Sequence, residues 1–199
     1  MEDRLQRSRL QSQSRFLGDN FSLETLALKI YEIGKLAKIV QALKAGGKKV
    51  IHCHGCFDLM HPGHIIYFQQ AKKMGDILVV TISPDKYVDK GIGRPVFNQK
   101  LRAESIAALE CVDYVSVNKW PTAQETLRLL RPDIYVKGQE FENLEDKTGK
   151  LQQEYKVVKE IGAEIRFTRG VVFSSTELLK KYFTSKKGRV NQKCRLRIK

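Results

Sequence analysis

The sequence predicts an α/β fold: a parallel sheet with helices on both of its faces. Three observations carry this expectation. Short apolar, β-branched runs alternate with segments of helical spacing from residue 48 to residue 183. The runs are nearly continuous in their apolar character, as expected of strands covered on both sides. The chain has 199 residues and no internal repeat at a period of 20–50 residues, so one βαβα domain with right-handed crossovers accounts for it.

The elements follow in order. Residues 1–20 are expected to be a flexible extension, and 21–47 a leading helical segment. Within it, 22–45 read as a helix: Ser22 is the expected N-cap and Glu24 lies in the first turn. Leu26, Ile30, Ile33, Leu36, Ala37 and Val40 keep helical spacing, and Gly46-Gly47 stops the run. Strands are expected at 48–54, 77–82, 112–117, 133–137 and 164–168. Helices are expected at 62–74, 98–110, 122–130, 150–161 and 175–183. The main domain is thus 48–183, followed by a basic tail, 184–199. In such sheets ligands bind beyond the carboxyl ends of the strands. The segments to search for chemistry are therefore 54–62, 83–97, 137–149 and 169–176.

Composition narrows the function classes. With 42% hydrophobic and 29% charged residues the chain is too apolar to be disordered. It has no run of about 18 apolar residues that would span a membrane. Its opening, MEDRLQRSRLQSQSRF, lacks the apolar core of a signal peptide. Four cysteines, Cys53, Cys56, Cys111 and Cys194, are too few for a disulfide scaffold. A cytoplasmic location is the expectation. The net charge of +14 is uneven: 184–199 hold seven basic residues and no acid, 1–20 are net +1, and the rest carries +6. A basic tail can bind nucleic acid or an anionic surface, although such runs are ordinarily solvated. The excess in the core suits phosphorylated substrates.

The segment after the first strand reads His54-Gly55-Cys56-Phe57-Asp58-Leu59-Met60-His61-Pro62-Gly63-His64. Gly55 permits a tight exit from the strand, and Pro62 fits the first turn of the next helix. His61 and His64, three apart, share one face of that helical start. Gly63 between them keeps the face open to a large anion. A helix N-terminus attracts phosphate through its N–H groups and dipole. Two imidazoles there can donate to the oxygens of a phosphate in transfer. All four histidines fall within residues 52–64. His52, Cys53, His54, Cys56, His61 and His64 are also possible zinc ligands. Cys53 and Cys56 lie in and just beyond a strand, however, and no second CxxC pair exists, so no metal site is expected.

GCFDLMHPGH resembles the HxGH signature of the cytidylyltransferase-like nucleotidyltransferases. The resemblance runs over residues 48–183. It implies a Rossmann-like sheet and in-line attack by a substrate phosphate on the α-phosphate of a nucleoside triphosphate, with pyrophosphate leaving and Mg²⁺ assisting. It implies catalytic roles for His61, His64 and Lys90, and nucleotide contacts at Gly55, Cys56, Phe57 and Gly63. A homodimer is expected.

Further motifs lie along the same edge. Between the second strand and the next helix, Lys90-Gly91 is followed by Gly93-Arg94-Pro95-Val96 and then Arg102. This pattern resembles the heptose-type adenylyltransferases. Val136-Lys137-Gly138-Gln139-Glu140 ends the fourth strand on the ligand side. Its Lys-Gly pair also resembles the heptose group, and Lys137 and Gly138 are assigned to the nucleotide. Asp58, Asp85, Arg94, Arg102 and Glu140 are candidates for the acceptor side. The stretch Arg169-Gly170-Val171-Val172-Phe173-Ser174-Ser175-Thr176-Glu177 resembles the second signature of the family. Ser174 and Glu177 also make a capping box, a structural role on its own. Arg169, Ser174, Ser175 and Thr176 are expected to hold the β- and γ-phosphates. Two departures bear on specificity: the heptose group commonly has Asn where this chain has His54, and Arg169 matches the cytidylyltransferase version.

The expected activity is transfer of a nucleoside monophosphate, from ATP in preference to CTP, to a phosphorylated sugar such as heptose 1-phosphate. A CTP-dependent enzyme acting on glycerol 3-phosphate or a similar polyol or amino-alcohol phosphate is the alternative. A nucleic-acid-binding protein, a different class, lacks a recognisable reading helix or an interleaved basic-aromatic face.

Overall fold

The computed structural model describes residues 28–143, 149–170 and 175–183. The extension 1–20, Ser22, Glu24, Leu26, Ser174 and the tail 184–199 lie outside the described residues.

Five strands form one sheet: β1 (Val50–Gly55), β2 (Ile77–Ile82), β3 (Tyr114–Val117), β4 (Ile134–Gly138) and β5 (Glu164–Thr168). Their order is β3-β2-β1-β4-β5, and every pairing is parallel. Chain order reverses at β1, which is flanked by β2 and β4. A crevice opens at the carboxyl ends of strands at such a switch point.

Helices cover both faces. α1 (Ile33–Ala45), α4 (Gln124–Leu130) and α5 (Lys150–Glu160) lie on one, α2 (Pro62–Lys72) and α3 (Gln99–Ala107) on the other, and α6 (Ser175–Phe183) follows β5. Successive strand residues point to opposite faces. Ile51, Cys53, Leu78, Val80 and Ile82 pack with Phe68 and Ala71 of α2 and Ile106 of α3. Val50 and Val79 pack with Leu36 and Val40 of α1, and Tyr135 with Leu127 of α4 and Val157 and Val158 of α5.

The leading helix is shorter than its spacing suggests. It begins at Ile33, capped by Glu32, whose carboxylate accepts from Gly34 N at 2.7 Å and Lys35 N at 3.2 Å. Ile30 instead makes a parallel bridge to Val115. Val115 N donates to Lys29 O at 2.8 Å and Tyr31 N to Val115 O at 3.0 Å. The open edge of β3 thus satisfies this backbone, overriding helical periodicity. β1 likewise starts at Val50, two residues later than expected, because Asp133 accepts from Val50 N at 2.7 Å and ends the loop there.

Candidate active site

The carboxyl ends of β1, β2, β4 and β5 border a cavity of about 400 Å³. Its wall includes Gly55, Cys56, Phe57, His61, Gly63, His64, Lys90, Lys137, Gly138, Glu140 and Arg169.

The loop from β1 to α2 is built around Phe57. Its φ is +48°, unusual for a residue with a side chain. The conformation turns the ring back into the core, 4.9 Å from Phe68 and edge-on to His64 at 5.2 Å. The ring lies so close over Gly55 that a Cβ there would sit 2.8 Å from it. Gly55 is therefore required by close approach. His61 is the N-cap of α2 but gives it no side-chain cap. Its ring instead stacks on His64, with centroids 3.7 Å apart and planes 15° apart. Burial lowers the proton affinity of both rings. For His64, His61 and Lys90 add charge repulsion, and its pKa falls to about 3. Both imidazoles are therefore neutral at physiological pH. They can act as hydrogen-bond donors but carry no charge.

Deeper in the cleft a polar ladder runs along one face of the sheet. His52 and His54, two apart on β1, share that face with Thr81 of β2 and with Tyr135 and Lys137 of β4. Thr81 Oγ1 lies 2.8 Å from both His52 Nε2 and His54 Nδ1. Burial pushes His52 well down and His54 down to about 4, the latter against the pull of Glu154. Glu154 of α5 meets Lys137 Nζ at 2.8 Å, and Tyr135 donates its hydroxyl proton to the same carboxylate at 2.8 Å. Burial raises the affinity of Glu154 for a proton. The charge and hydrogen bond of Lys137, with the hydrogen bond of Tyr135, outweigh it, so the carboxyl stays below its ordinary value.

Four acceptor candidates are placed away from the cleft wall. Arg102 is 1% exposed. It donates to Phe97 O at 3.0 Å, Cys56 O at 2.5 Å, Ser83 O at 2.8 Å and Asp85 Oδ1 at 2.6 Å. A guanidinium with this many protein acceptors holds loops and does not face a ligand. Asp85 is further occupied by Gln99 N at 3.0 Å. Asp58 pairs with Arg94 and accepts from Val96 N at 2.5 Å. Arg94 also donates to Ser175 Oγ at 3.3 Å, which joins the loop after β2 to the start of α6. Ser175 is buried and Thr176 half-buried, and neither lines the cleft among the described residues.

Arg169 does border the cleft, with its guanidinium 3.2 Å from Glu142. The turn that carries it is gripped by two glutamines. Gln70 accepts from Arg169 N at 2.9 Å and donates to Arg169 O at 2.5 Å. Gln139 accepts from Gly170 N at 3.2 Å and donates to Gly170 O at 2.8 Å. Each amide mimics a strand partner for one residue.

Sequence reasoning missed Glu154, Gln70, Gln139 and Thr81. The two-residue period of β1 and β2 was a usable signal for Thr81 beside His54. Glu154 and Gln70 sit in helices without motif spacing, and Gln139 follows the Lys137-Gly138 pair with nothing in the sequence to mark its role. Among the described residues no group of three His, Cys, Asp or Glu side chains is placed to hold a metal ion, and no helix is long and apolar enough to cross a membrane. Cys53 is buried, with its thiol pushed up to about 12, so it is a core residue.

A family model described as cytidylyltransferase-like matches residues 52–186. The bifunctional protein HldE of Helicobacter pylori strain G27 is 42% identical over 130 residues, which are 62% of this chain and 28% of that protein. HldE of Geobacter metallireducens is 42% identical over 115 residues, 57% of this chain and 24% of that protein. The chain thus spans about a quarter of the length of these curated relatives. The crystal structure of the lipopolysaccharide core biosynthesis protein from Thermoplasma volcanium GSS1 superposes with a TM-score of 0.50 at 26% identity, covering 64% of this chain and 100% of that one. A pantoate-beta-alanine ligase structure from Francisella tularensis shares the fold alone, with a TM-score of 0.53 at 17% identity over 74% of this chain and 69% of that one.

Proposed function

We propose a reaction for this chain from one premise: it belongs to the cytidylyltransferase-like family, whose model matches residues 52–186. The chain is a nucleotidyltransferase. It transfers a nucleoside monophosphate from a triphosphate, ATP in preference to CTP, to a phosphorylated sugar of the heptose 1-phosphate kind. The single observation that carries the reading is the stacked, neutral His61–His64 pair at the start of α2, facing a cleft that Lys90 and Arg169 also border.

The chemistry follows from that arrangement. An oxygen of the acceptor phosphate attacks the α-phosphorus, a new P–O bond forms, and the bond to the bridging oxygen of the leaving pyrophosphate breaks. Negative charge builds on the α-phosphate oxygens and on the leaving group. His61 and His64 donate N–H groups to the α-phosphate, and being neutral they need lose no proton. Lys90 and Arg169 supply positive charge for the departing phosphates, Arg169 through two oxygens at once. Ser175 and Thr176, expected to share that task, do not line the cleft among the described residues, so the departing phosphates fall to Lys90 and Arg169. Lys137, already paired with Glu154, gives the deep end of the cleft donors and acceptors with no net charge, which suits hydroxyl groups.

Mg²⁺ assists when bound, by neutralising triphosphate charge. The described carboxylates do not build a cage for it: Asp58 and Asp85 are tied to arginines, and Glu154 to Lys137. The ion therefore travels on the oxygens of the triphosphate itself. The expected assembly is a homodimer acting in the cytoplasm.

A pyrophosphate-release screen of four nucleoside triphosphates against sugar and polyol phosphates tests the proposal. Turnover is expected with ATP and heptose 1-phosphate. Turnover confined to CTP with glycerol 3-phosphate or a related acceptor would replace it by the polyol-phosphate reading, which rests on the match of Arg169 to the cytidylyltransferase version of the second signature. No turnover with any pair would overturn both.

A further inference from the structure

The chain His52–Thr81–His54 has a consequence for specificity that rests on the nucleotidyltransferase reading. Thr81 is fully buried, and its hydroxyl has one proton and two imidazole nitrogens at 2.8 Å. His52 is fully buried too, and its Nδ1 has no hydrogen-bond partner among the described residues.

Three proton arrangements are open to this chain. If Thr81 donated to His52, the proton of neutral His52 would sit on the unpartnered Nδ1, a buried donor with nothing to bond. If both imidazoles donated to Thr81, its own hydroxyl proton would be the buried orphan. Orphaned buried donors are rare, because each gives up its bond to water and gains none in return. Only one arrangement confines the unpartnered donor to the cleft: His52 Nε2–H donates to Thr81, and Thr81 donates to His54 Nδ1. The proton of His54 then lies on Nε2. On that side Ser83 Oγ lies 3.5 Å away, too long to satisfy it. His54 and Ser83 both line the cleft.

We infer that His54 is a specificity-determining donor, locked by Thr81 and His52 as its Nε2–H form, and that it donates to a hydroxyl oxygen on the carbon skeleton of the phosphorylated acceptor. A hydroxyl, and not the phosphate, is the partner because the neighbouring charges cancel: Lys137 is paired with Glu154 at 2.8 Å. The phosphate-binding groups His61, His64, Lys90 and Arg169 belong to other loops of the cleft. Thr81 and His52 are positioning residues that act through His54.

Side-chain nitrogen NMR of the full chain at pH 8, without ligand, reads the lock directly. His54 is expected to show a protonated Nε2 and a bare Nδ1, and His52 the same. A protonated Nδ1 on His54 overturns the inference, whatever reaction the protein runs. Kinetics read the role. Thr81→Val is expected to raise KM for heptose 1-phosphate about tenfold, the scale of one hydrogen bond, with KM for the triphosphate unchanged. Thr81→Ser, which keeps the hydroxyl, should restore it. Equal loss for both substrates, or no rescue by Ser, assigns Thr81 to packing and refutes the claim. Titration of the wild type with heptose 1-phosphate should move the His54 signals, and inorganic pyrophosphate should not. If the expected NMR pattern holds while heptose 1-phosphate neither turns over nor shifts His54, the lock stands and the acceptor reading fails.

Discussion

The imidazoles of His61 and His64 lie face to face at 3.7 Å, a distance two protonated rings could not share. Burial and Lys90 keep them neutral, so their contribution is a pair of aimed donors. His64→Ala should lower kcat by about 10²-fold, the effect of losing one preorganised donor, with a smaller change in KM for the triphosphate. Near-normal kcat in this variant would remove His64 from the mechanism. The depressed histidines also link stability to pH. Folded His54 titrates at about 4 and His64 at about 3, against 6.5 when exposed. Above pH 6.5 both states are neutral and their stability contribution is complete. As pH falls below 6.5 the unfolded chain binds protons that the folded one refuses, and the contribution is lost until each folded value is reached. Melting temperatures should therefore drop from pH 7 to pH 4.5, and drop less steeply in His54→Asn. Parallel curves for the two proteins would show that His54 is not held neutral by the fold.

At the level of elements, the site is a set of loops stitched together by hydrogen bonds from side chains to backbone. Arg102 on α3 ties the loop after β1 to the loop after β2 through Cys56 O and Ser83 O. Arg102→Met would leave three loop carbonyls and Asp85 Oδ1 without their Arg102 donor. It should cost about 2–4 kcal/mol in urea denaturation, somewhat under the range for a fully buried charge pair because Asp85 is partly exposed. Arg102→Lys should rescue little, because an ammonium cannot reproduce the fork. Wild-type stability in Arg102→Met would contradict its buried, multiply bonded placement. The two glutamine clamps act on the turn before α6. Gln70 and Gln139 together fix four backbone groups of Arg169 and Gly170. Gln70→Leu is expected to raise KM for either triphosphate several-fold, while KM for the acceptor and the melting temperature stay close to wild type. A selective effect on the acceptor would place the Arg169 turn elsewhere in the reaction.

For the molecule as a whole, the parallel order β3-β2-β1-β4-β5 puts the reversal of chain order at β1, and the cleft opens there. The net charge of +14 does not describe this cleft, since seven of the basic residues lie in 184–199. Deleting 184–199 should leave kcat and both KM values for pyrophosphate release close to those of the full chain. Any salt-dependent binding to a polynucleotide should disappear with the tail, because such binding follows the count of phosphates neutralised. Loss of turnover on deletion would give the tail a part in the reaction.

The order of strands and helices and the histidine-rich string at the end of β1 were determined by sequence alone. Both are written locally: apolar runs and helical spacing repeat within a few residues, and GCFDLMHPGH is contiguous. What the tertiary structure decided are the contacts between residues far apart in the chain. Residues 28–32 obey the edge of β3 at Val115 and not their own helical spacing. Asp58, Asp85, Arg94 and Arg102 look like cleft cations and acids in the sequence, yet Arg94 meets Asp58, and Arg102 meets Asp85 and the Cys56 carbonyl, across 17 to 46 positions. Glu154 joins Lys137, and Thr81 joins His52 and His54, only because parallel strands and a crossover helix bring them to one face. Local periodicity assigns a residue to a face. Which charge it meets there depends on strand order, which no local stretch of sequence contains.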